Sequence, residues 1–191
     1  MKQDVIEPGA TYHIFNRGNN LENIFIEEKN YEYFLSLVKK YLVPVADIYA
    51  YCLLKNHFHF VLRIKDDQFL DEKYQKKPFL AFSHTFNAYT KAINKAYNRK
   101  GSLFQEHLHR IRVKDEKYLK QLIAYVHLNP VRHKFAHNHK SYLFSSFHEY
   151  SIDNPEIISR EYIFELFDGE SNFEYWHDLN RIYLADKIED I

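Results

Sequence analysis

ADIYAYCLLKNHFHFVLRI, residues 46 to 64, holds two β-rich runs, 46–54 and 57–64, parted only by Lys55-Asn56. So short a connection between runs of aromatic and branched side chains reads as an antiparallel hairpin. Upstream, Thr11 to Arg17 alternates imperfectly and ends at Gly18-Asn19-Asn20, a strand followed by turn chemistry. Between these segments Tyr31, Phe34, Leu35, Val38 and Leu42 follow i, i+3, i+4, i+7 spacing, which predicts a helix over about 27–41 ended by Pro44. Downstream, Phe79, Phe82, Phe86, Tyr89, Ile93 and Tyr97 repeat the helical spacing over 79–97 behind Pro78. Residues 107–114, HLHRIRVK, alternate as a further strand. Asp115 then caps a third helix expected to run to about Leu128, where Pro130 forces an exit. The order is β-α-β-β-α-β-α. A hairpin between two helical crossovers is the split β-α-β arrangement, an α+β antiparallel sheet with helices mainly on one face. Beyond about residue 140, SYLFSSFHEYSIDNPE reads as a loop-rich bridge to short helices at 159–168 and 171–185.

With 191 residues, 46% of them apolar, the chain has material for one main domain, here 1–148, and an appendage, 149–191. Only four glycines are present and no Walker or dinucleotide fingerprint, which excludes Gly-rich phosphate loops. The single Cys52 excludes a disulfide framework and a zinc site built on paired cysteines, and fits a reducing compartment. Neither a leader-like apolar region nor a membrane-length run occurs, so a soluble, cytoplasmic protein with no membrane partner is expected.

The zero net charge is an average of two unlike parts. Residues 1–150 hold 23 Lys and Arg against 15 Asp and Glu, whereas residues 151–191 hold 3 against 11. Eleven of the twelve histidines also lie in the basic part. Between 86 and 114, Lys91, Lys95, Arg99, Lys100, Arg110, Arg112 and Lys114 face only Glu106. Such a cluster suits a polyanion, or is simply a solvated helix face.

His57-Phe58-His59 lies within the second hairpin strand, where alternation sends both imidazoles to one face. Paired histidines on a strand can be half-buried polar residues or ligands of one divalent metal. In so apolar a hairpin, each imidazole nitrogen left without a partner would cost on the order of 1–3 kcal/mol, which a metal or a polar site would relieve. His107 and His109 have the same spacing, but their neighbours Arg110, Arg112 and Lys114 oppose a cation and suggest nucleic-acid contact. His133, His137 and His139 have a spacing that could bind metal, but they follow the third helix in a loop without a scaffold. On that helix Leu119, Leu122, Ile123 and Val126 form the core stripe, with Tyr125 at its edge, Gln121 one turn before and Asn129 one turn after. Among 16 tyrosines, Tyr125 alone would read as an ordinary rim aromatic.

The runs YHIFNRGNN (12–20), YAYCLLKNHFHFVLRI (49–64), AYTKAINKAYNRKGSLFQ (88–105) and LIAYVHLNPVRH (122–133) together resemble REP-associated tyrosine transposases. These are single-tyrosine HUH single-strand DNA endonucleases related to small insertion-sequence transposases. The resemblance covers about residues 8–148 in order and implies a ferredoxin-like domain. It implies that His57 and His59 bind Mg²⁺ or Mn²⁺, that Tyr125 is the nucleophile, and that Asn129 completes the metal shell. The implied reaction is attack of a Tyr125 phenolate on phosphorus with expulsion of a 3′-hydroxyl, leaving a 5′-phosphotyrosine whose reversal joins strands. A tyrosine with a reference pKa near 10 needs a metal, a base or a cation to favour the phenolate. His127, two positions along the helix, points to another face and is not that base. The implied substrate is single-stranded DNA beside an imperfect palindromic hairpin, with the protein a monomer or a homodimer.

From charge and placement, Asn16, Arg17, Lys91, Lys95, Arg99, Arg110 and Arg112 are candidate DNA contacts. The acidic appendage would repel DNA; it either covers the basic groove or points away. Two other readings share the pattern, a replication-initiator-like nickase and a non-catalytic single-stranded nucleic-acid binder.

Overall fold

The protein is described here by a computed structural model covering residues 5–183. Strands β1 (Thr11–Arg17), β2 (Ala46–Leu54), β3 (His57–Ile64) and β4 (His109–Val113) form one sheet in the order β2-β3-β1-β4. Every neighbouring pair is antiparallel. The Lys55-Asn56 hairpin pairs Cys52 with His59 and Leu54 with His57, and β1 sets Phe15 opposite His59 and Arg17 opposite His57. β1 and β3 are therefore the two central strands, and all their face-to-face residues are fixed by this register. The fourth strand starts at His109, two residues later than alternation suggests, and leaves His107 outside it.

Helix α1 (Glu28–Leu37), extended by a π turn through Leu42, the one-turn α2 (Glu72–Gln75) and α3 (Phe79–Ala96) make the crossovers. α1 and α3 cover one face of the sheet, where Phe58 packs 5.7 Å from Phe34 and 5.3 Å from Phe86. The aromatic richness of the chain thus fills the layer between helices and sheet. Helix α4 (Glu116–Arg132) lies on the opposite face, against β2 and β3. Asp115 caps it by accepting the Tyr118 N–H at 2.8 Å.

Pro130 does not end this helix. The missing N–H and the ring cost about 3 kcal/mol in a helix interior, but residues 122 to 130 are all buried, so packing on both sides outweighs that penalty. The helix stops two residues later, at Arg132, in a Schellman motif. Lys134 adopts a left-handed φ of 60°, its N–H donates to Val131 O at 3.1 Å, and Phe135 N–H donates to Pro130 O at 2.8 Å.

Residues 140–158 are ordered against the open edge of β2: Leu53 N–H donates to Phe144 O at 2.9 Å and Ser159 N–H to Ile48 O at 2.8 Å. Helices α5 (Arg160–Leu166) and α6 (Glu170–Tyr183) follow, and α6 packs on α4. The end of the helix expected over 171–185 lies outside the described residues. Ile163, Phe173 and His177 are buried, so the apolar face of the acidic appendage joins the core. Its Glu174 and Asp178 reach Lys140 at 3.5 and 4.0 Å. No helix among the described residues is long and apolar enough to cross a membrane.

One hydrogen-bonded chain ties the layers together. Ser146 Oγ accepts the Tyr51 N–H and donates to His127 Nε2, His127 Nδ1–H donates to His177 Nε2, and His177 Nδ1–H donates to Phe173 O, each at 2.7–2.8 Å. Both imidazoles are neutral in this arrangement, and burial holds His177 down to about 3 and His127 well below the ordinary histidine value. Below the unfolded value of about 6.5 the unfolded chain binds the extra protons, so stability is complete above that pH and falls toward pH 3. The expected slope is up to about 1.4 kcal/mol per pH unit for each histidine. Denaturant midpoints should drop between about pH 7 and pH 5; an unchanged midpoint would contradict the assignment.

Candidate active site

The face of the sheet turned toward α4 carries the imidazoles. Alternation along β3 puts His57 and His59 there and Phe58 on the other side, while β1 contributes His13 and Phe15 and β4 contributes His109. A stack of rings forms the floor: His109 lies 5.0 Å from Phe15 with planes 9° apart, and Phe15 lies 5.8 Å from His59. Across this floor, α4 lowers Tyr125, whose ring is edge-on to His59 at 5.8 Å and to His13 at 6.2 Å. The His133 ring sits 4.8 Å from His57. A cavity of about 420 Å³ opens between them, lined by Arg17, His57, His59, His109, Tyr125 and His133 among others.

Tyr125, Asn129 and His133 follow one another at i, i+4, i+8 and share a helix face. Two of the three touch the strand histidines, so the Asn129 between them faces the same way. Asn129 is fully buried, and neither its Oδ1 nor its Nδ2 has a hydrogen-bond partner. An orphaned buried amide costs about 1–3 kcal/mol, which a cation drawing on Oδ1 would offset. Among the described residues no three His, Cys, Asp or Glu side chains gather in a metal-holding group. Two imidazoles and one amide oxygen are the donor set this helix face offers, a mixture better suited to Mn²⁺ than to the all-oxygen preference of Mg²⁺.

Both strand histidines are gripped through Nδ1. Asn56 Oδ1 lies 2.8 Å from His57 Nδ1, and His13 Nε2 lies 3.0 Å from His59 Nδ1. His59 is buried, and burial together with His13, His57, His133 and Arg132 holds it well below the ordinary histidine value. Tyr125 is 1% exposed, and the Arg132 guanidinium lies over its ring, 5.0 Å from the centroid. His127 points away from this site, into the chain that joins α4 to α6.

The basic candidates divide. Arg17 is exposed and lines the cavity. Asn16 is buried, its Nδ2 donating to Gln105 O at 3.2 Å and its Oδ1 accepting from Arg17 N–H, so it ties down the end of β1. Arg110 and Arg112 point to the opposite face from His109, by alternation on β4. Arg110 lines a second cavity of about 390 Å³ beside α3, and Arg112 pairs with Glu7 at 2.8 Å. Arg99 is held by Glu22 and by Asn94. Lys91 and Lys95 are exposed on α3.

His13 and Arg132 carry no signal in the sequence patterns above, and His133 stands there only as one of three histidines beyond the third helix. The signal for His133 was there, since Tyr125, Asn129 and His133 keep helical spacing, but it was lost by ending the helix at Pro130. His133, His137 and His139 do not cluster: His133 joins the cavity, His137 is exposed, and His139 packs against Phe147 on the far side of α4.

In a comparison with solved structures the chain is similar to a REP-associated tyrosine transposase bound to a REP hairpin. The TM-score is 0.60 at 14% sequence identity, over 78% of this chain and 83% of that chain. The two share a fold. No protein-family profile matches this chain, and no curated protein does.

Proposed function

We propose that this protein is a single-tyrosine HUH transposase, a metal-dependent endonuclease and strand transferase acting on single-stranded DNA beside a hairpin. The observation that carries the reading is the meeting of Tyr125 with His57 and His59 in one cavity, across more than sixty residues of sequence. The fold shared with a hairpin-bound tyrosine transposase supports the same reading.

In this reading His57, His59 and Asn129 would hold Mn²⁺ or Mg²⁺, which would supply positive charge beside the scissile phosphate. Arg132 over the Tyr125 ring favours the phenolate. The phenolate oxygen attacks phosphorus in line, the new Tyr–O–P bond forms as the P–O3′ bond breaks, and the departing 3′-oxygen takes up a proton. One phosphodiester replaces another, so the 5′-phosphotyrosine retains the energy needed for rejoining. Because Tyr125 lies beside the histidines of its own chain, one chain supplies all of these groups.

The test is to incubate the full chain with labelled single-stranded hairpin oligonucleotides, with Mn²⁺ or with EDTA, and to run denaturing gels. A protein–DNA adduct that appears with Mn²⁺ alone is the expected result. A native-gel shift without any adduct would replace this reading by that of a non-catalytic binder.

Two further outcomes follow from the charges. Arg132→Met is expected to lower adduct formation at neutral pH by roughly tenfold, since the cation over the ring is lost; an unaltered rate would remove Arg132 from the mechanism. Arg17→Ala should weaken DNA binding and reduce the slope of log K against log salt by about 0.7, the value for one lost phosphate contact on a single strand. Arg99→Ala and Arg112→Ala, whose guanidinium groups already pair with Glu22 and Glu7, should leave that slope unchanged.

A further inference from the structure

We infer that His13 is a positioning residue: its Nε2 accepts the Nδ1–H of His59 and so turns the His59 Nε2 lone pair into the cavity, as Asn56 does for His57. This rests on the reading of His57 and His59 as metal ligands. The two strand histidines are held alike. Asn56 Oδ1 can only accept, so the 2.8 Å contact fixes the proton of His57 on Nδ1. A neutral imidazole has one N–H and one lone pair, and with Nδ1 protonated the lone pair is on Nε2. His13 Nε2 stands 3.0 Å from His59 Nδ1, within the sheet itself.

The register makes this contact unavoidable. His13 is paired with Val61 on β3 and lies on the same face as His59, two residues away, with the rings 5.2 Å apart and 20° from parallel. His13 is fully buried, and its Nδ1 has no hydrogen-bond partner. With Nε2 accepting, the one proton of neutral His13 sits on this Nδ1, a buried N–H without an acceptor that costs about 1–3 kcal/mol and that the bond to His59 sets itself against. The Tyr125 ring meets His13 edge-on, so the same imidazole also walls the tyrosine. Outer partners of this kind commonly fix the tautomer of a ligating histidine.

The opposite polarity, with His13 donating, would place an N–H on His59 Nε2 and leave it unable to bind a cation. The tautomer of His59 therefore decides the matter, and it is read in metal-free protein. Long-range ¹H–¹⁵N spectra of the ¹⁵N-histidine-labelled chain should show both His57 and His59 protonated at Nδ1. His13→Gln puts an amide oxygen near the position of Nε2 and should keep that pattern, whereas His13→Leu should move the His59 proton to Nε2.

Calorimetry with Mn²⁺ alone gives the second readout. His13→Leu should weaken binding roughly 10–100-fold, as loss of outer partners does, and His13→Gln should stay within about threefold of the parent. A wild-type His59 protonated at Nε2, or a His13→Leu variant binding Mn²⁺ as tightly as the parent, overturns the inference while leaving His57 and His59 as ligands. A wild-type chain that takes up no Mn²⁺ overturns the metal reading itself, and the position of the His59 proton then shows separately whether His13 still accepts it. The wild-type spectrum decides even if the leucine variant does not fold.

Discussion

Tyr125→Phe is expected to abolish the covalent adduct while the protein still folds and still binds DNA. The substitution removes one oxygen and keeps the ring, so the edge contacts to His13 and His59 and the Arg132 cation over the ring face remain. Removing a hydroxyl of a buried tyrosine changes stability by about 1 kcal/mol, which for a chain of this length moves the melting temperature by a few degrees. Removing a nucleophile has no such modest consequence: adduct formation should fall on the order of 10⁴-fold or more. The measurement is a denaturing gel of Mn²⁺ reactions beside a native-gel titration of the same oligonucleotide. Residual adduct at more than about a hundredth of the parent rate would assign the nucleophile elsewhere.

Asn129→Leu is expected to act on stability and activity in opposite directions. The residue is fully buried with both amide atoms unpartnered, so in the metal-free chain an apolar side chain of the same branching removes a penalty of about 1–3 kcal/mol. The metal-free melting temperature should rise by roughly 2–4 °C for each kcal/mol gained. If Oδ1 completes the cation shell with His57 and His59, the same change should cut Mn²⁺ affinity and Mn²⁺-dependent cleavage by roughly a hundredfold. Thermal melts with EDTA and with Mn²⁺ separate the two effects, because the parent should gain stability from the ion and the variant should not. A variant that is less stable without metal would mean that the amide has a structural partner, and one that cleaves normally would remove it from the shell.

The hairpin around Lys55-Asn56, the helical stripes and the split order of elements were all legible in the sequence, because each depends on a period of 2 or 3.6 and on local turn chemistry. The same periods put His57 and His59 on one face of β3 and turned His127 away from Tyr125. Two things did not follow. The end of the third helix was set by burial on both sides of residues 122–130, a tertiary term larger than the local cost of Pro130, and the helix that continued carried His133 to the cavity and Arg132 over the Tyr125 ring. The partnership of His13 with His59, 46 residues apart, depends on the register between β1 and β3, two strands joined through the sheet. Local spacing tells which face a side chain takes; which side chains from distant segments meet on that face is decided when the strands pair.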